Sequence, residues 1–269
     1  MTILSLHNLG VDLGGVRVLD GVDATISGGT FLGIAGPNGA GKTTLARAMA
    51  GLLSPQRGAV MLDGVLLQSV KPVLRARRIA YLAQGGQLHW PLTVERLVAL
   101  GRMPHLSAFQ RPGLADAQAV ARALARTDAA HLADRPVSSL SGGERALALV
   151  ARALAVEADV LIADEPAAAL DPAHQLQVLE VLAEEAARGA AVIAVMHDLG
   201  LARRFCQRLI LVHGGRVMAD GPPGDVLTLA HLETVFGVEA SMGVTNGVPT
   251  VTPLRRLKRI QAFARTQPS

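Results

Sequence analysis

The chain has 269 residues, enough for one large α/β domain or a core with an insertion, and half of them are apolar. No run approaches the roughly 18 uncharged apolar residues of a membrane-spanning helix, no signal-peptide pattern opens the sequence, and a lone Cys206 excludes an internal disulfide, so a soluble cytoplasmic chain is expected. Lys and Arg number 26 against 22 Asp and Glu, but Arg255, Arg256, Lys258, Arg259 and Arg265 crowd the end; without these five the balance is 21 against 22, which argues against a nucleic-acid surface.

From Thr2 to Ile26, short alternating segments (Leu4, Leu6; Val11, Leu13; Val22, Ala24, Ile26) are broken by Gly and Asp, as in antiparallel β-structure. Phe31–Ala35 is an apolar run suited to a buried parallel strand. It leads into Gly36, Pro37, Asn38, Gly39, Ala40, Gly41, Lys42, Thr43 and Thr44, the spacing of a phosphate loop, and Leu45, Met49 and Leu52 then recur at helical intervals. In a strand, loop and helix of this kind the glycines turn backbone N–H groups onto the phosphates, and the helix N-terminus adds partial positive charge. Lys42 is placed to reach the β- and γ-phosphates of a nucleoside triphosphate, and the Thr43 hydroxyl to ligate Mg²⁺.

Ala59–Leu67 reads as a hairpin across Asp63-Gly64, completing a small β-subdomain, and Arg78–Ala83 as a core strand ending at Gln84. Ligand groups gather beyond the carboxyl ends of parallel strands, so Gln84 is placed to face the phosphates. From Gly85 to Glu157 helical patterns dominate, around Val94–Leu100, Asp116–Arg126 and Ala146–Ala155. Ser141, Gly142, Gly143 and Glu144 open the last of these at capping-box spacing, a second possible phosphate contact.

Val160–Ala163 is another buried run, followed at once by Asp164 and Glu165, to which a division of labour is available: one carboxylate for the metal's water shell, one to orient the attacking water. A helix follows Asp171-Pro172 with Leu176, Leu179, Leu182 and Ala186 on one face. Ala191–Met196 is the next buried strand, and His197 at its end can hydrogen-bond a γ-phosphate. Leu209–Val212 and Val217–Ala219 make a last hairpin, and beyond Leu227 the signals weaken.

In this order the segments resemble the ATP-binding subunit of ABC transporters over nearly the whole chain: Walker A at Gly36–Thr44, Q-loop at Gln84, signature at Leu140–Glu144, Walker B at Val160–Asp164 with Glu165, D-loop at Ala169–Asp171 and H-loop at His197. The resemblance implies the ABC ATPase fold, an α/β phosphate-loop core with an antiparallel β-subdomain and a helical insertion. The parts would be 1–84 (β-subdomain and Walker A), 85–157 (helical subdomain), 158–236 (the rest of the core) and 237–269 (a tail). It further implies ATP and Mg²⁺, a head-to-tail homodimer, catalysis by Glu165, His197 and Gln84, and metal held by Thr43, Gln84 and Asp164. Leu13 and Val18 would meet the adenine, while Ser141, Gly142, Gly143, Glu144 and Asp171 would serve the partner's ATP. Ala146, Leu147 and Ala167 depart from the residues relatives often carry, and none of them supplies a catalytic group.

Leu92–Glu95 leading to Gly101–His105, Leu170–Gln175, and Val248-Pro249 with Pro253 resemble the importers of iron-siderophores, haem and cobalamin. That texture implies a separate membrane permease, a periplasmic binding protein acting indirectly, and a place on the cytoplasmic face of the inner membrane. Two further expectations concern partners: a permease segment received between Gln84 and Leu100, near Leu88 and Trp90, and a basic amphipathic pattern at Leu254, Leu257, Ile260 and Phe263. A soluble ABC-type ATPase, as in cluster assembly, is the alternative; a GTP switch would need an Asn-Lys-x-Asp segment, which the sequence lacks.

Overall fold

The computed structural model describes residues 2–85, 91–107 and 109–257. Strand β1 (Ile3–Leu13) pairs antiparallel with β2 (Val16–Ser27), and alternation along β1 buries Leu4 and Leu6 on one face. β3 (Phe31–Ala35) is buried at every residue and turns through the glycine loop into α1 (Lys42–Met49). β4 (Arg57–Leu62) and β5 (Val65–Leu66) complete a four-stranded antiparallel sheet in the order β2-β1-β4-β5. α2 (Pro72–Arg78), with proline in its first turn, feeds β6 (Ile79–Leu82).

The middle of the chain is helical. α3 (Val94–Ala99) starts at Thr93, whose hydroxyl accepts from the Arg96 amide; α4 (Leu114–Arg126) and α5 (Gly142–Leu154) pack against it through Val94, Leu97, Val120, Leu124, Leu147 and Ala151. Arg102 is buried in this layer, its Nε donating to Asp116 at 3.0 Å and its Nη1 to the Ala155 carbonyl at 2.8 Å, the pairing a buried cation requires.

β7 (Val160–Asp164), α6 (Pro172–Ala187), β8 (Ala191–Val195), α7 (Leu199–Phe205), β9 (Arg208–His213), β10 (Arg216–Gly221), α8 (Pro223–Val226) and α9 (Leu229–Phe236) follow. They complete a six-stranded sheet in the order β10-β9-β3-β8-β7-β6, parallel except for β10. Successive side chains of β3 serve opposite cores: Phe31 and Ala35 join the helical layer, while Leu32 and Ile34 join α1 and the antiparallel sheet. Each fully buried Leu or Ile contributes about 1.5–3 kcal/mol, so the central strands are firm anchors for the loops that leave their carboxyl ends.

Past Leu227 regular structure continues as far as Arg256. Thr228 caps α9, Gly237 ends it at φ 67°, and β11 (Val238–Thr245) pairs with β12 (Val248–Arg256). Asn246 and Gly247, at φ 51° and 80°, make the tight turn that Asn-Gly favours. This corrects the tail expected from 237, and the amphipathic stripe expected from Leu254, as far as Arg256. Leu254 is exposed in a paired strand and Arg255 pairs with Glu239, so spacing here has period two, not three. Both hairpin faces are at most half-buried, which left the alternation weak in sequence. Ile260 and Phe263, like Leu88 and Trp90, lie outside the described residues. Among the described residues no helix is long and apolar enough to cross a membrane.

Candidate functional site

The predicted residues leave the carboxyl ends of four neighbouring strands, β3, β8, β7 and β6, and there they meet. A cavity of about 460 Å³ is lined by Val18, Asn38, Gly39, Gly41, Lys42, Thr43, Thr44, Gln84, Glu165 and His197. The loop reaches it because Gly36, at φ 151°, passes so close to β9 that a Cβ would stand 2.2 Å from the Val212 carbonyl oxygen. No side chain caps the start of α1, and its first-turn residues Lys42, Thr43 and Thr44 line the cavity with the positive end of the helix dipole there.

Lys42 is only 6% exposed, and its Nζ donates to the carbonyls of Gly36 at 2.8 Å and Pro37 at 3.0 Å. Burial pushes its pKa down, opposed by the charges of Glu165 and Asp164. Asp164, fully buried at the end of β7, has both carboxylate oxygens engaged: Thr43 Oγ1 donates to Oδ1 at 3.0 Å, and the Tyr81 hydroxyl donates to Oδ2 at 3.0 Å. Glu165 follows in a left-handed conformation, φ 54°, a cost of about 1–3 kcal/mol that persists where a site requires it. Its carboxylate lies between Gln84, whose Nε2 donates to Oε2 at 2.5 Å, and His197, whose Nε2 bonds Oε1. The residue after His197, Asp198, caps α7 by accepting from the Leu201 amide at 2.9 Å.

The oxygen donors of Thr43, Asp164 and Gln84 suit a hard divalent cation, and among the described residues there is no cluster of three His, Cys, Asp or Glu that would make an all-protein cage. One buried carboxylate beside one hydroxyl fits Mg²⁺, which takes few protein ligands and completes its shell with water and phosphate.

Other expected residues stand elsewhere. Leu13 sits at the β1–β2 turn, 42% exposed and paired with Val16, and it does not line the cavity, whereas Val18 does. Ser141, Gly142, Gly143 and Glu144 open α5 and Asp171 opens α6; none of the five lines the cavity of this chain. Ser141 and Glu144 form the expected capping box, the Glu144 amide donating to Ser141 Oγ at 3.2 Å and the Ser141 amide to Glu144 Oε2 at 2.8 Å. Glu144 also pairs with Arg135 at 3.0 Å, so its carboxylate is committed to the helix start. Asp171 accepts from the amides of Ala173 and His174, and these bonds with the His174 ring hold its carboxyl below the usual range.

Sequence reasoning missed Tyr81, although it is the only tyrosine in the chain and lies three residues before Gln84. Burial, partly opposed by Arg47, raises its pKa, so the hydroxyl stays protonated and donates to Asp164. Tyr81→Phe leaves that buried carboxylate oxygen without its donor and is expected to lower stability by about 1–3 kcal/mol. An unchanged urea midpoint would show the contact to be idle.

A phosphate loop on a parallel sheet, faced by a buried Asp–Thr pair and an adjacent Glu between Gln and His, defines a nucleoside-triphosphate-binding cassette. Residues 19–168 match the ABC transporter family, and the chain belongs to that family. It is similar to the cobalamin import ATP-binding protein BtuD of Halobacterium salinarum, 44% identical over 254 residues, covering 93% of this chain and 63% of that one. The chain therefore spans less than two thirds of that relative's length. It is also similar to the hemin import ATP-binding protein HmuV of Pseudomonas aeruginosa, 44% identical over 242 residues, covering 88% of this chain and 93% of that one. A solved metal-chelate type ABC transporter in an inward-facing conformation shares the fold at a TM-score of 0.82 and 26% identity, over 95% of this chain and 98% of that one.

Proposed function

We propose that the chain is the ATP-binding and ATP-hydrolysing subunit of an ABC importer for a metal chelate or tetrapyrrole of the iron-siderophore, haem or cobalamin class. The observation that carries the catalytic part is the meeting of Lys42, Thr43, Asp164, Glu165, Gln84 and His197 about one cavity. Similarity to cobalamin and hemin import proteins supports the substrate class.

The γ-phosphate of ATP sits against the first turn of α1, where loop amides and Lys42 stabilise the negative charge that shifts outward as the terminal bond breaks. Mg²⁺ held by Thr43 and Asp164 would neutralise charge on the β- and γ-oxygens. Glu165 takes up the attacking water as hydrogen-bond acceptor and general base, and Gln84 and His197 fix the direction of its carboxylate. Since Ser141, Gly142, Gly143 and Asp171 stand outside this cavity, they are assigned to the ATP of a second copy in a head-to-tail homodimer. Hydrolysis then removes the group that both chains grip, and the dimer reopens against a membrane permease on the cytoplasmic face of the inner membrane. A periplasmic binding protein would supply cargo to that permease.

Of the two residues expected at the adenine only Val18 lines the cavity, Leu13 is an exposed aliphatic at the adjoining β1–β2 turn, and among the described residues no Phe, Tyr or Trp is in the lining, so the adenine is weakly gripped in this reading. Phosphate contacts do not read the base, so GTP should be hydrolysed at a comparable rate. Leu13→Tyr should tighten ATP binding, stacking being worth about 1–3 kcal/mol where it has been measured with nucleic-acid bases. A wild type that strongly prefers ATP, or a Leu13→Tyr variant of unchanged affinity, would place the base elsewhere.

Transport itself is tested by deleting the gene and measuring uptake of labelled cobalamin, haem and a ferric siderophore. Loss of one of the three, restored by the wild type but not by Glu165→Gln, is expected. Unchanged uptake of all three would favour a cassette that serves no importer of this class.

A further inference from the structure

The ring of His174 occupies the space that a side chain at position 143 would need. A Cβ placed on Gly143 would stand 2.3 Å from both Cγ and Cδ2 of that imidazole. Gly143 has no positive φ, so glycine is required there by close approach and not by backbone conformation. The Nδ1 of the same ring, 2.4 Å from that Cβ position, bonds to Oδ2 of Asp171 at 2.6 Å, while Asp171 Oδ1 accepts the amides of Ala173 at 3.0 Å and His174 at 3.1 Å. One imidazole, 29% exposed, thus packs on the start of α5 and holds the cap of α6.

Resting on the head-to-tail dimer proposed above, we infer that His174 is a positioning residue that locks the signature turn to the D-loop, so that Gly143 and Asp171 are presented to the partner's nucleotide as one rigid edge. The two segments lie far apart in the chain, and each alone is a helix start whose direction can drift with its own helix. A ring wedged between them fixes their separation, and the bond to Asp171 fixes the ring. His174 makes no contact with the cavity of its own chain, so it should leave that chain's grip on nucleotide untouched.

The test uses the full chain carrying Glu165→Gln, with dimerisation followed by sedimentation velocity against Mg-ATP and monomer affinity followed separately with a fluorescent nucleotide in dilute protein. Adding His174→Ala should raise the ATP concentration for half-dimerisation about tenfold, the scale of one lost hydrogen bond to a charged group, with monomer affinity unchanged. His174→Asn, which keeps a donor for Asp171, should recover part of that loss. Gly143→Ala should be severe alone and milder when combined with His174→Ala, because the clash is removed. The inference is overturned if His174→Ala dimerises like its parent, if it weakens monomer binding by the same factor, or if Gly143→Ala is equally harmful in both backgrounds. A parent that never dimerises with ATP would instead overturn the dimer reading.

Discussion

Glu165→Gln should retain ATP binding, lose turnover by roughly 10²–10⁴-fold, the range of a lost general base, and accumulate as an ATP-bound dimer. The exchange is close to isosteric. It leaves Lys42, the glycine loop and the Thr43–Asp164 pair in place, so the groups assigned to phosphate and metal are unaltered. It removes the negative charge that Gln84 and His197 now hold between them, and with it the acceptor for the proton of water. Single-turnover hydrolysis together with sedimentation would separate the effects. Near-normal hydrolysis would assign the base to another residue.

The second large effect is expected at Lys42. Its charge is unfavourable in the folded chain by itself, since burial depresses the pKa and the two carbonyl acceptors from Gly36 and Pro37 only partly replace water. That cost makes sense for a cation kept for an anionic ligand. Lys42→Met preserves the apolar stem and deletes the charge. It should therefore leave the nucleotide-free fold as stable as before, or more so, while weakening ATP binding by roughly 10–100-fold, the equivalent of one strong charged hydrogen bond. Thermal unfolding with and without Mg-ATP reads both quantities. A fold that collapses without nucleotide would make Lys42 a structural residue.

The parts of the site legible in the sequence are those written within one stretch of chain. The glycine loop needs its spacing to pass β9 and enter α1, the carboxylates follow a buried run directly, and the Ser141–Glu144 box is a local motif that reappears with both of its bonds. What could not be read depends on pairs distant in sequence. Tyr81 reaches Asp164 across two neighbouring strands, and His174 reaches Gly143 between two helix starts, and neither contact leaves a periodicity. The position of Leu13 depends on a hairpin register that shifts after Leu6, Leu9 and Val11, which alternation alone does not locate. The C-terminal hairpin was missed for a different reason: Asn246-Gly247 was a valid turn signal, but its flanking strands bury too little to stand out.

The claim that one ATP site is built from two chains is tested by mixing two inactive variants. Lys42→Met disables the phosphate loop and leaves the signature; Ser141→Arg obstructs the signature and leaves the phosphate loop. In a head-to-tail heterodimer of the two, one site gathers both defects and the other gathers neither. Each variant alone should be inactive, and mixing them should restore a measurable fraction of wild-type ATP hydrolysis. A mixture as inactive as its components, despite formation of the mixed dimer, would mean that loop and signature serve the same nucleotide within one chain.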